Sequence, residues 1–132
     1  MATVKANLDW LSAAQEALNG DSAFRKLGST DITLGLSIGD EARLVTFEAF
    51  EIASISEISP MDLRDADIVL EMSVKNWNAY LRKRAKGKGP SLLTLDLDQR
   101  VITPRSPIDR LKLERYNLSL QAFIDKGAEL AA

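Results

Sequence analysis

Residues 66–77 read Ala66-Asp67-Ile68-Val69-Leu70-Glu71-Met72-Ser73-Val74-Lys75-Asn76-Trp77, and the hydrophobic period changes halfway along them. Ile68, Leu70 and Met72 alternate with Asp67, Val69 and Glu71, the two-residue period of a strand. Ser73 is a good helix N-cap, and after it Val74, Trp77, Leu81 and Arg84 recur at helical spacing with Tyr80 beside them. A strand therefore runs through a serine cap directly into a helix.

Upstream, Leu8, Leu11, Ala14, Ala17 and Leu18 predict an opening helix, with Asn7 or Asp9 as cap and Asn19-Gly20 as stop. A shorter helix follows, capped by Asp21 or Ser22, carrying Phe24 and Leu27 and ending at Gly28. From Asp31 the period turns to two: Ile32, Leu34, Leu36 and Ile38 alternate with Thr33, Gly35 and Ser37, the pattern of a half-buried strand. Gly39-Asp40 suits a hairpin turn into a return strand over about 42–49, with Val45 and Phe47 on one face. A third strand runs over about 52–58. Ser59-Pro60-Met61-Asp62 combines a cap, a proline at the first helical position and an acidic third position, starting about one turn before Ala66.

Downstream, Lys86–Gly89 breaks the helix. Residues 91–98 read either way: Leu93, Leu95 and Leu97 alternate like a strand, yet Pro90 could equally open a short helix. The two prolines in Thr103–Pro107 predict a loop. A last short strand is expected over about 111–115, then a terminal helix capped by Asn117 whose face is Leu120, Phe123, Ile124 and Ala128. Strands in a run, flanked by helices, predict an α+β fold: a largely antiparallel sheet of about five strands covered on one face by helices, in a single domain over residues 1–132.

Composition narrows the chemistry. Among 132 residues there is no Cys and no His, and 17 Lys and Arg face 19 Asp and Glu. Without those two residue types there is no Ser-His-Asp or Cys-His site, no histidine proton shuttle and no thiolate metal site. Carboxylate, Lys and Tyr chemistry remain. Gly87-Lys88-Gly89-Pro90-Ser91 lacks the earlier glycine of a phosphate-binding loop, and Asp62, Asp65 and Asp67 lack the spacing of a calcium loop, so no cofactor or metal is expected. The near-balanced charge argues against nucleic acid as a partner. The start of the chain lacks the pattern of a secretory signal, and no apolar stretch approaches the roughly 18 residues of a spanning helix, so the expected location is cytoplasmic.

In this order of elements the chain resembles the sterol carrier protein 2 (SCP2-like) lipid-binding domains. Three stretches carry the resemblance: Gly20–Leu27 leading into Ile32–Gly39, the junction Ala66–Ser73 followed by Asn76-Trp77, and the ending Leu111–Leu130. Two positions depart from the family's usual pattern. Asp109, Arg115 and Tyr116 stand where glycines are common around the last strand, and the turn after the second strand is Ala49-Phe50-Glu51, without glycine. The resemblance implies a tunnel between the sheet and the late helices for a sterol, a fatty acyl chain or a similar apolar molecule.

Phe47, Met72, Trp77, Leu81, Leu120, Phe123 and Ile124 are expected to converge where the sheet meets the late helices, either as a packed core or as the lining of a pocket. Tyr116, between the expected last strand and last helix, offers a phenol to a ligand's polar group. Arg82, Lys83, Arg84, Lys86 and Lys88 form the densest charge run. They suit a solvated helix end, or a docking patch for an anionic membrane surface or an acidic partner. The expected function is a non-catalytic carrier of an apolar molecule. Two other readings are an accessory subunit acting by protein contact, such as a homodimer or a partner of an enzyme, and a small isomerase using Asp109 and Tyr116.

Overall fold

The structure is a computed structural model in which residues 9–131 are described. In chain order the elements are α1 (Asp9–Asn19), α2 (Ser22–Arg25), β1 (Ile32–Ile38), β2 (Glu41–Glu48), β3 (Glu51–Ile58), a 3-10 helix (Pro60–Asp65), β4 (Ile68–Met72), α3 (Val74–Ala85), α4 (Leu92–Gln99), β5 (Ile102–Pro104) and α5 (Pro107–Ala131). The five strands form one sheet in the order β3-β2-β1-β4-β5, antiparallel except for the central β1–β4 pair. The fold class is the expected α+β one.

Strand register gathers the apolar side chains on one face. Ile32 stands opposite Phe47, Leu34 lies between Val45 and Ile68, Leu36 is beside Leu70, and Ile38 is beside Met72. All are buried. α1, α3 and α5 cover this face, with α5 packed against both other helices. β1 is more enclosed than a half-buried strand, because the 3-10 helix covers part of its other side. A Cβ on Gly35 would come within 2.9 Å of Leu63 Cδ2 and 3.1 Å of Ala66 Cβ.

The local signals at the start of the chain act as expected. Asp21 caps α2 through its side chain, and Gly39 turns the first hairpin with φ at 61°. Ser73 caps α3, its hydroxyl accepting from the Asn76 amide at 3.1 Å. The second hairpin turns without glycine: Ala49 itself takes φ 54°, and its carbonyl accepts from the Thr30 amide at 2.6 Å. In α1 the buried stripe is Trp10, Leu11, Ala14 and Leu18, while Ala17 is exposed. Asn7 and Leu8 lie outside the described residues. Val74 is also half out of the core, at 47% exposure.

The late segment departs from the sequence reading. Residues 92–99 are helix α4, because Ser91 supplies a cap by accepting from the Thr94 amide. The expected loop at 103–107 holds most of the last strand, β5, whose Ile102 and Pro104 pair with Leu70 and Ile68. The strand expected at 111–115 is instead part of α5, an unbroken helix of 25 residues, so Asn117 lies inside it and does not cap it. The start of α5 is Ser106-Pro107-Ile108-Asp109, the same Ser-Pro-x-Asp pattern as Ser59–Asp62. Ser106 Oγ accepts from the Asp109 amide and donates to Asp109 Oδ2 at 2.8 Å, a reciprocal cap that the two prolines concealed.

Candidate functional site

Beneath the sheet the structure brings together residues from four elements. Phe47 comes from β2, Met72 from the end of β4, Trp77 and Leu81 from α3, and Leu120, Phe123 and Ile124 from α5. None exceeds 6% exposure, and all belong to one hydrophobic cluster. Phe123 is its hub: Phe47 meets it edge-on at 5.7 Å between ring centroids, and Trp10 lies at 5.8 Å on another side. The indole N–H of Trp77 donates to the Ser37 carbonyl at 2.7 Å, which fixes that ring against β1.

The sequence reading does not single out Trp10. Its signal is present, since Trp10, Leu11, Ala14 and Leu18 follow the i, i+1, i+4, i+8 rule of a helix face. Starting the helix face at Leu8 shifts that stripe. Trp10 lies over Gly127 of α5, where a Cβ would overlap the indole Cε3 and Cζ3. Only glycine allows so close an approach there.

Tyr116 stands apart from the other seven. It is on α5, half-buried, packing on one side against the core cluster. On the other side it lines a groove of about 310 Å³ with Asp31, Ile108, Leu111, Lys112 and Arg115. A second groove, of about 300 Å³, lies between α2 and α5 and includes Leu18, Phe24, Leu27 and Ala122. A third, of about 210 Å³, runs between α3 and α4 and is lined by Met72, Tyr80, Lys83 and Leu95 among others.

A polar network closes the interior on the α3–α4 side. Arg84 makes a two-pronged contact with Asp125, Nε to Oδ1 at 2.8 Å and Nη2 to Oδ2 at 2.7 Å. Asp125 holds the guanidinium strongly in its charged form, raising its pKa against the opposing effect of burial. Gln121 accepts from the Leu92 amide at 2.7 Å and donates to both Asp125 and the Tyr80 hydroxyl, which in turn donates to the Pro90 carbonyl. Burial raises the pKa of Tyr80 and keeps the phenol neutral, with the Gln121 hydrogen bond working in the other direction. The basic run thus divides. Arg84 faces Asp125, whereas Arg82, Lys83, Lys86 and Lys88 are exposed.

Asp109 does not face the aromatic interior with a free carboxylate. Its oxygens engage Ser106 Oγ at 2.8 Å and Arg105 Nε at 3.5 Å, with Lys112 at 4.0 Å. The side chains that meet in the cluster are hydrocarbon, two indoles and the Met72 thioether, an apolar interior. Among the described residues no group of three acidic, His or Cys side chains could hold a metal ion, and no helix is long and apolar enough to cross a membrane.

This arrangement belongs to a known architecture. The fold is that of sterol carrier protein 2: a solved structure of that protein superposes with a TM-score of 0.68, at 19% identity and over 98% of each chain. A conserved hypothetical protein from Thermus thermophilus, itself a suggested sterol carrier protein, also superposes at 0.68, with 20% identity over 96% of this chain and 88% of its own. No protein-family model and no curated protein sequence matches the chain.

Proposed function

We propose that the chain acts as one domain that binds and carries an apolar small molecule, a sterol, a fatty acyl chain or a similar lipid, between the sheet and helices α1, α3 and α5. The observation that supports this most is end-to-end likeness in fold to a sterol carrier protein, combined with an aromatic and apolar interior between the sheet and the helices. The binding surface is Phe47, Met72, Trp77, Leu81, Leu120, Phe123 and Ile124, joined by Trp10. Tyr116 serves as the rim, because it touches both the core cluster and the groove beside it. No covalent step is needed. The lining has no nucleophile, and partitioning of apolar surface supplies the driving force at roughly 25 cal/mol per Å² removed from water. The cytoplasm is the compartment proposed for this activity, and the exposed Arg82, Lys83, Lys86 and Lys88 are proposed to meet an anionic membrane surface or an acidic partner when the cargo is exchanged.

Titration with methyl cis-parinarate, an uncharged fluorescent ester, tests the reading. Saturable uptake at one probe per chain is expected, with Leu111→Asp, an exposed change in the Tyr116 groove, slowing uptake while the fold stays intact. Fluorescence that never saturates, or no change at all, would count against it. A second reading has its own observation: Ile108, Leu111 and Leu118 lie on one side of α5 at 68%, 64% and 63% exposure. Such a stripe suits contact with a protein, either a second copy or an enzyme subunit. Sedimentation as a monomer at high concentration, with Leu111→Asp leaving it unchanged, would argue against self-association.

A further inference from the structure

Trp10 is 3% exposed, and among the described residues its indole Nε1 is the buried side-chain nitrogen or oxygen atom with no hydrogen-bond partner. Four other buried polar side chains are hydrogen-bonded: Thr30 donates to Ser119, Asp96 accepts from Arg110 and from the Ile102 amide, and Asp109 accepts from Ser106. Trp77, whose ring centroid is 6.5 Å from that of Trp10, donates its N–H to Ser37. Packing uses the six-membered ring of Trp10, whose Cε3 and Cζ3 lie on Gly127, and leaves the N–H without a partner. The ring is also held in place, since its six-membered edge lies on the Gly127 backbone and the nitrogen is on the opposite edge.

We infer that the Trp10 N–H is the polar anchor of the bound molecule, and that this molecule is an apolar chain or ring system carrying an uncharged oxygen acceptor: a hydroxyl, a carbonyl or an ester. The inference rests on the carrier reading above. Charge decides between a neutral head and a carboxylate. The buried charged side chains among the described residues are Asp96 and Asp109, both acidic, and no Lys or Arg is buried in the cluster around Trp10. A carboxylate taken there would lose its hydration with no cation to replace it.

The test uses the full chain, ¹⁵N-labelled, with 1-decanol, decanoate and decane as probes. The two indole N–H signals are assigned through contacts of the Trp10 ring with Gly127, and independently by the loss of one signal in Trp10→Phe. With 1-decanol the Trp10 signal is expected to move downfield while that of Trp77, already bonded to Ser37, stays in place. Decane is expected to shift core methyl signals without the downfield move, and decanoate to bind more weakly than decanol. Trp10→Phe is expected to weaken decanol about two- to tenfold more than it weakens decane, the difference being the worth of one hydrogen bond. Core shifts with decanol but no movement of the Trp10 N–H would overturn the inference and leave the carrier reading standing. So would a persistent water contact at that N–H, or equal weakening of decanol and decane. No core shift with any of the three probes would overturn both.

Discussion

Tyr80 and Ala49 show what single positions contribute. Burial raises the Tyr80 pKa above the value of about 10 that it would have in the unfolded chain. Its contribution to stability is therefore fully present below that pH, and is lost as pH rises through the folded value, because the unfolded chain gives up the proton first. Urea midpoints measured from roughly pH 8 to pH 11 are expected to fall at the alkaline end, and Tyr80→Phe is expected to flatten that fall while costing about 1 kcal/mol at neutral pH for the bond to Pro90. A wild-type midpoint that does not change over this range would contradict the burial of the phenol. Ala49 adopts a left-handed backbone at φ 54° in a two-residue turn. That conformation costs an L-residue roughly 1 to 2 kcal/mol, partly offset by the flexibility that glycine brings to the unfolded chain. Ala49→Gly is expected to raise stability by about 0.5 to 1 kcal/mol in the same assay. The missing glycine is visible in the sequence; that the alanine carries the turn's strain is not, because nothing local marks it.

Elements are legible where the buried side chains follow one period and illegible where they do not. Ile68, Leu70 and Met72 all face the core, as do Trp77 and Leu81 beyond the Ser73 cap, so this junction can be read directly. The first half of α5 cannot. Leu113 is fully buried, whereas Leu111, two residues earlier, is 64% exposed, and the outward Ile108 and Leu111 imitate a different period. The helix is held by its capped start and by Leu120, Phe123 and Ile124 further along. α4 is ambiguous for a related reason: Leu92 and Leu95 point in, while Leu97 is 75% exposed. Its attachment depends on tertiary contacts, above all the Leu92 amide bonded to Gln121 across 29 residues of sequence. Gln121→Leu is expected to speed amide exchange at Leu92–Leu95 several-fold and to leave β1 amides unchanged. Equal acceleration in both places would mean that Gln121 supports the whole core and not α4 alone.

At the scale of the molecule, α1 and α5 close the interior through the Trp10–Gly127 contact. Gly127→Ala would place a methyl group inside the indole ring and is expected to lower stability by about 3 kcal/mol, at the upper end of overpacking, as read from the urea midpoint. Phe47, Met72, Trp77, Leu81, Leu120, Phe123 and Ile124 meet in one cluster under the sheet, since hydrophobic pattern and element order suffice to bring apolar faces together. Tyr116 packs against the edge of that cluster and not within it, because its expected place depends on a strand–helix boundary that α5 does not have. Whether these residues enclose cargo is a matter of occupancy, which no pattern of buried side chains encodes. Native mass spectrometry of the purified chain, followed by organic extraction, measures occupancy directly. The expected result is a discrete mass increment at one molecule per chain that extraction removes and recovers as an apolar compound with an oxygen-bearing head. The bare chain mass alone, unchanged after incubation with a total lipid extract, would contradict the carrier function.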